Sequence, residues 1–141
     1  MTDIPSTDSE IEIKFRGKFL HLARSAHWEY ATREHGSDVA VIIPVTTNNE
    51  LVLVEQYRIP VGKATIELPA GLIGDVKAYA GEAADEAARR ELEEETGYRA
   101  DAINLLVSTP TSAGLTDETA LFFLARDIEQ VGYGGGDETE D

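Results

Sequence analysis

Glu91, Glu94 and Glu95 stand three and four residues apart within a stretch, Glu82 to Thr96, built mainly from Ala, Glu, Arg and Leu. On a helix, those spacings bring three carboxylates onto one face. Like charges held this closely destabilise one another, and the arrangement becomes tolerable when cations neutralise it. Hard carboxylate oxygens suit Mg2+, with Mn2+ as the alternative. The competing reading is a solvated acidic face on which Arg89 and Arg90 form i,i+4 pairs, and from the cluster alone that is the ordinary outcome.

The elements that must position this cluster follow from pattern. Strong helix formers run from Glu82 to Thr96, and Gly97 follows as the stop. Upstream, Ile11, Ile13 and Phe15 alternate with charged residues, and Arg16-Gly17-Lys18 turns the chain into Phe19 to Ala23, which predicts a hairpin. His27 to Arg33 continues the extended pattern, and Val39 to Val45 is an apolar run of strand length, as in a buried strand. Thr46 to Glu50 reads as a tight turn into a further strand, Leu51 to Arg58. Ala102 to Ser108 and Thr119 to Ala125 read as later strands, and Gly132 to Asp141 as a glycine-rich, then acidic tail that ends in a loop. Strands around one strong helix predict an α/β (α+β) sandwich.

Composition narrows the classes of function. The 141 residues suit one domain, and 27 acidic against 12 basic side chains give a net charge of −15, which disfavours nucleic acid and anionic membranes as partners. An anionic substrate would need a localised cation. With no cysteine in the chain, thiolate metal sites, disulfides and thiol nucleophiles drop out. Met1 to Glu10 is polar and acidic, unlike a secretory signal, and no apolar run nears membrane-spanning length, so the expected setting is cytoplasmic. His21, His27 and His35 lack metal-ligand spacing.

The wider spacing bears on the cluster. Glu82, seven further residues, then Arg90-Glu91-Leu92-Glu93-Glu94-Glu95-Thr96-Gly97-Tyr98 resembles the second part of the Nudix box, G-x5-E-x7-R-E-U-x-E-E-x-G-U. Glu67-Leu68-Pro69-Ala70-Gly71-Leu72-Ile73 resembles the strand and turn that open the box in ADP-ribose pyrophosphatases and nucleoside diphosphate sugar relatives. One departure stands out: ten residues, not five, separate Gly71 from Glu82, and Val76 takes the strict glycine position. A five-residue insertion within 74–80 accounts for it at small cost in loop entropy, and bears on the pocket rim.

What the resemblance implies can be stated residue by residue. The fold would be a Nudix-type α/β/α sandwich with a mixed central sheet over 37–141, joined to an extra N-terminal antiparallel sheet over 11–36 and a flexible lead over 1–10. Glu91, Glu94, Glu95 and the carbonyl of Ala70 would hold Mg2+, and Arg90 and Glu82 would brace the loop and helix. A general base outside the box, on a late loop after glycines, falls on Glu138, with Glu140 next. Trp28 would stack on adenine, Arg58 would reach phosphate or ribose, and Gly71 would line the substrate. Thr109 to Glu118 resembles the recognition loop S-P-G-x-S-D-E, with Ala113 in place of proline; Ser112, Gly114 and Glu118 would reach the terminal ribose. Ordinary roles stay open for several of these: core packing for Trp28, an exposed strand end for Arg58, turn duty for Gly114, a frayed terminus for Glu138.

The implied reaction is hydrolysis of ADP-ribose, or a related nucleoside diphosphate sugar, at its pyrophosphate. GDP-mannose or dinucleoside polyphosphate hydrolysis is the alternative, as is an ADP-ribose sensor without catalysis. In this branch the N-terminal strands often swap between subunits, which makes a homodimer the expected assembly.

Overall fold

The computed structural model describes residues 10–34, 36, 38–74 and 80–136. The apolar run becomes β4 (Asp38–Thr46), with Ala40 and Ile42 fully buried. It pairs in parallel with β10 (Thr119–Gln130), Ile42 opposite Phe123, and antiparallel with the short β7 (Ala70–Leu72), Val41 opposite Ala70. β9 (Ile103–Pro110) and the two-residue β8 (Tyr98–Arg99) complete a mixed five-stranded sheet on the other side of β10. An antiparallel N-terminal sheet is made by β1 (Ile11–Arg16), β2 (His21–Ser25) and β3 (Trp28–Thr32). The mixed sheet, the extra N-terminal sheet and, among the described residues, the single helix agree with the expected fold class.

The helix, α1 (Ala84–Thr96), lies on the sheet through Ala87, Ala88 and Leu92, all with no exposed surface, against Ala40, Ile42, Phe123, Ala125 and Ile128. Small side chains at 87 and 88 allow close approach, while Leu92 supplies the bulk, about 1.5–3 kcal/mol on burial. Glu86 returns a carboxylate oxygen to the Ala83 amide at 3.3 Å, and Gly97 ends the helix at φ 72°. Among the described residues no helix is long and apolar enough to cross a membrane.

Three expectations change in detail. The predicted strand Leu51 to Arg58 begins only at Val54. Val52 donates to the Pro44 carbonyl at 3.1 Å, but proline has no N–H to return, so the ladder stops and the chain turns away. It forms instead a two-stranded ribbon, β5 (Val54–Arg58) with β6 (Lys63–Glu67). The last strand runs past Ala125 to Gln130, across a bulge at Asp127 (φ 53°), because its far end finds β8 to pair with. Finally, the glycines of the tail pack on the C-terminus of α1 rather than trailing from it.

The N-terminal sheet is tied to the rest of the chain. The Ala31 amide donates to the Leu115 carbonyl at 2.8 Å, and the Thr32 hydroxyl donates to Asp117 at 2.6 Å.

Candidate active site

Three carboxylates meet one guanidinium. Arg90 donates to Glu82 through Nε and Nη2, each at 3.2 Å, to Glu91 at 2.7 Å and to Glu94 at 3.0 Å. Burial opposes its charge, but these carboxylates more than offset that and raise its affinity for the proton. The helix face is solvated only in part: Glu91 is 5% exposed, whereas Glu94 is exposed and its pair with Arg90 is of the i,i+4 kind. Glu93, which shares the stretch, leaves the cluster because Arg99 holds it at 2.8 and 3.0 Å, and that hydrogen bonding keeps its carboxyl below the ordinary range. Arg89 makes no i,i+4 pair of the kind a solvated face would use; it donates to the carbonyls of Ala100 and Asp101.

The turn that opens the box comes to the same place. The Ala70 amide donates to Glu95 at 3.1 Å. Gly71 lies so close to Glu91 that a Cβ there would sit 2.0 Å from the Glu91 carboxyl carbon. A side chain at this position would displace that carboxylate from where it stands. β7 thus brings Ala70 and Gly71 against Glu91 and Glu95 across 25 residues of sequence.

Does this cluster fit a divalent cation? Among the described residues no three acidic or histidine side chains are drawn together as a ready cage. Glu91 and Glu94 turn toward Arg90, and Glu95 toward an amide. The donor chemistry fits nonetheless: Glu82, Glu91, Glu94 and Glu95 outnumber the one guanidinium among them, and partly buried surplus negative charge is stabilised by a hard cation.

Arg58, at the end of β5, is gripped by Glu67 of β6 through Nε at 3.0 Å and Nη2 at 2.6 Å, and the Thr65 hydroxyl also donates to Glu67. The Arg58 and Thr65 hydrogen bonds hold the Glu67 carboxyl down to about 2 from an ordinary 4.5. Because the folded value is the lower one, the pair stabilises the chain fully above about 4.5 and loses that contribution as pH falls toward about 2. Glu67→Gln is accordingly expected to lower the melting temperature at neutral pH, with the gap from the wild type closing as pH drops through that window, followed by circular dichroism.

The remaining expected residues lie apart. Trp28 heads β3, half-exposed, with His27 edge-on at 6.0 Å, so it is not a core residue. Ser112 and Gly114 sit in an exposed turn where the Ser112 carbonyl accepts from Leu115 and Thr116. Glu118 accepts from the Thr111 hydroxyl at 3.0 Å and faces Arg33 at 3.9 Å, which braces the loop. Glu138 and Glu140, most of the insertion, and His35 fall outside the described residues. Sequence reasoning did not single out the Glu67 grip on Arg58. The Thr-x-Glu spacing of Thr65 and Glu67 on one strand face was its only trace.

Residues 36–139 match the family described as NUDIX domain. The chain belongs to the Nudix family. This Nudix chain is 41% identical over 107 residues to the methanol dehydrogenase activator of Bacillus methanolicus, covering 75% of the chain and 55% of that protein. It is 38% identical to the ADP-ribose pyrophosphatase of Bacillus subtilis (67% of the chain, 48% of the relative) and 40% to that of Mycobacterium tuberculosis (70% and 45%). It therefore spans about half the length of these curated relatives. A solved structure titled ADP compounds hydrolase superposes with a TM-score of 0.72 at 22% identity, over 93% of this chain and 71% of that one, which bears on the fold.

Proposed function

We propose that this Nudix chain is a cytoplasmic, Mg2+-dependent pyrophosphohydrolase that splits ADP-ribose, or a closely related nucleoside diphosphate sugar, into a nucleoside monophosphate and a sugar phosphate. The observation that carries the reading is that Arg90 gathers Glu91 and Glu94 while β7 meets Glu91 at Gly71 and Glu95 at Ala70. Two similar relatives carry the name ADP-ribose pyrophosphatase.

A divalent cation held by Glu91, Glu94, Glu95 and the Ala70 carbonyl supplies charge neutralisation of the pyrophosphate and a more acidic water. The chain's own residues do the rest. Arg90 keeps Glu82 and the helix in register, and Gly71 leaves space for the Glu91 carboxylate. Glu67 holds the Arg58 guanidinium in one orientation, a fixed cation for a phosphate or ribose oxygen. Glu138 accepts the proton of the attacking water, with Glu140 as the next choice; it is carried by the segment that follows the packed glycines. Ser112, Gly114 and Glu118 meet the terminal ribose, on a loop joined to β3.

Trp28 is the adenine platform in this reading. Its half-exposed ring supports that role over core packing. Trp28→Ala is expected to raise KM for ADP-ribose about tenfold or more with kcat little changed, since stacking on one base contributes about 1–3 kcal/mol. An unchanged KM in steady-state assays would move the base elsewhere.

The assembly proposed is a homodimer formed through the N-terminal sheet over 11–36. Phe15 and Phe19 beside β2, with Tyr57, Ile59 and Ile66 on the β5–β6 ribbon, are all more than half exposed. Large apolar side chains left this exposed favour a partner. A monomer in light scattering at micromolar concentration would remove the proposal.

Turnover of ADP-ribose, GDP-mannose and a dinucleoside polyphosphate, compared as kcat/KM with products separated by chromatography, tests the substrate. ADP-ribose is expected to lead. A higher value for another member would keep the reaction and change the substrate, and binding of ADP-ribose without turnover of any would favour a sensor.

A further inference from the structure

The last turn of α1 carries Glu93, Glu94 and Glu95 and no basic residue. That is the negative end of the helix dipole, where cations are favoured and carboxylates are not. It is also where the final carbonyls lack partners inside the helix. Backbone amides meet that need here. Gly97 donates to the Glu93 carbonyl at 2.9 Å, Gly135 to Glu95 at 3.0 Å and Gly136 to Glu94 at 3.0 Å. In return the Gly97 carbonyl accepts from Val131 at 2.8 Å and Gly132 at 3.0 Å.

So close an approach of two backbones has a steric condition. A Cβ on Gly134 would lie 2.4 Å from the Thr96 carbonyl carbon and 2.6 Å from the Glu95 oxygen, and Gly134 also sits at φ +65°, where side chains are strained. Gly132 differs, since a Cβ there meets nothing nearer than the Gly97 Cα at 3.9 Å. The glycine run after β10 is thus tolerant at one position and exclusive at another two residues away.

We propose that Gly134 is a positioning residue for the metal face: it lets segment 131–136 clasp the C-terminus of α1, and the clasp fixes the backbone from which Glu94 and Glu95 project. This rests on the reading of Glu91, Glu94 and Glu95 as the cation's ligands. Amides on the Glu94 and Glu95 carbonyls hold those two residues in helical geometry against the repulsion of their own side chains. A cation relieves the same repulsion. Clasp docking and cation binding are therefore coupled, and each strengthens the other by the same factor.

The test compares the full chain with Gly134→Ala and Gly132→Ala by three readouts: Mn2+ affinity by calorimetry without substrate, hydrogen exchange of segment 131–136, and kcat with KM for ADP-ribose at saturating Mg2+. In Gly134→Ala, exchange of 131–136 is expected to become fast while β4 and β10 stay protected. Mn2+ affinity falls about tenfold, and kcat falls about 100-fold with KM nearly unchanged. Gly132→Ala matches the wild type throughout. Should Gly134→Ala lose protection in β4 and β10 as well, the wild type decides, since Mg2+ is then expected to slow exchange in 131–136. Exchange indifferent to Mg2+, or wild-type Mn2+ affinity in Gly134→Ala, overturns the clasp and leaves the metal face standing. Absence of Mn2+ binding to the wild type removes both.

Discussion

Gly71→Ala is expected to abolish turnover of ADP-ribose, by at least about 100-fold in kcat, and to lower stability by about 1–3 kcal/mol. The added methyl would fall 2.0 Å from the carboxyl carbon of Glu91 and 2.1 and 2.4 Å from its oxygens. The strand cannot yield cheaply, and the carboxylate yields only by leaving its place beside Arg90. Gly71 is paired with Ala40 in the sheet, and Glu91 is buried with Arg90 on one oxygen at 2.7 Å. The carboxylate must rotate away or β7 must leave β4. Adding Glu91→Ala to Gly71→Ala vacates the space, so the double variant is expected to recover part of the melting temperature while remaining inactive. Two substitutions with additive stability effects would mean that the two groups do not meet.

Glu95→Gln should separate the two effects, with a loss on the order of 10³-fold in kcat/KM and no loss of stability. The amide keeps an oxygen to accept from Ala70, which now lies 3.1 Å from the carboxylate. It removes one negative charge from a face crowded with like charges, a change of about 0.2–0.5 kcal/mol in favour of the fold. Glu93→Gln is the matched control on the same turn, because Arg99 already holds that side chain away from the cluster. Its activity is expected to stay close to that of the wild type. If thermal melting and kinetics showed Glu95→Gln both active and destabilised, the carboxylate would be a structural group.

The helix α1 was legible because two independent signals agreed, a run of helix formers ending at Gly97 and carboxylates at helical spacing. The central strand was legible from its length and content: Val39 to Val45 is apolar without interruption, and the strand it forms has one face buried and the other partly buried. What failed to show was pairing at a distance. Nothing local in Leu51 to Arg58 says that Pro44, on another strand, will end the ladder and send the chain into a ribbon with Lys63 to Glu67. The grip of Glu67 on Arg58 then follows from that ribbon, not from either residue's neighbours. Gly71 and Gly134 were visible as glycines, but the carboxylate and the helix end that exclude a side chain there lie 20 and about 38 residues away in sequence. Roles assigned by resemblance to Trp28, Ser112, Gly114 and Glu118 depend on a bound substrate, which no local pattern encodes.

The most direct test of the central claim is product analysis of ADP-ribose incubated with the purified chain, with Mg2+ and again with excess chelator. AMP and ribose 5-phosphate in equal amounts with Mg2+, and intact ADP-ribose with chelator, are the expected result. Equal rates in the two conditions would contradict a metal-dependent site at Glu91, Glu94 and Glu95.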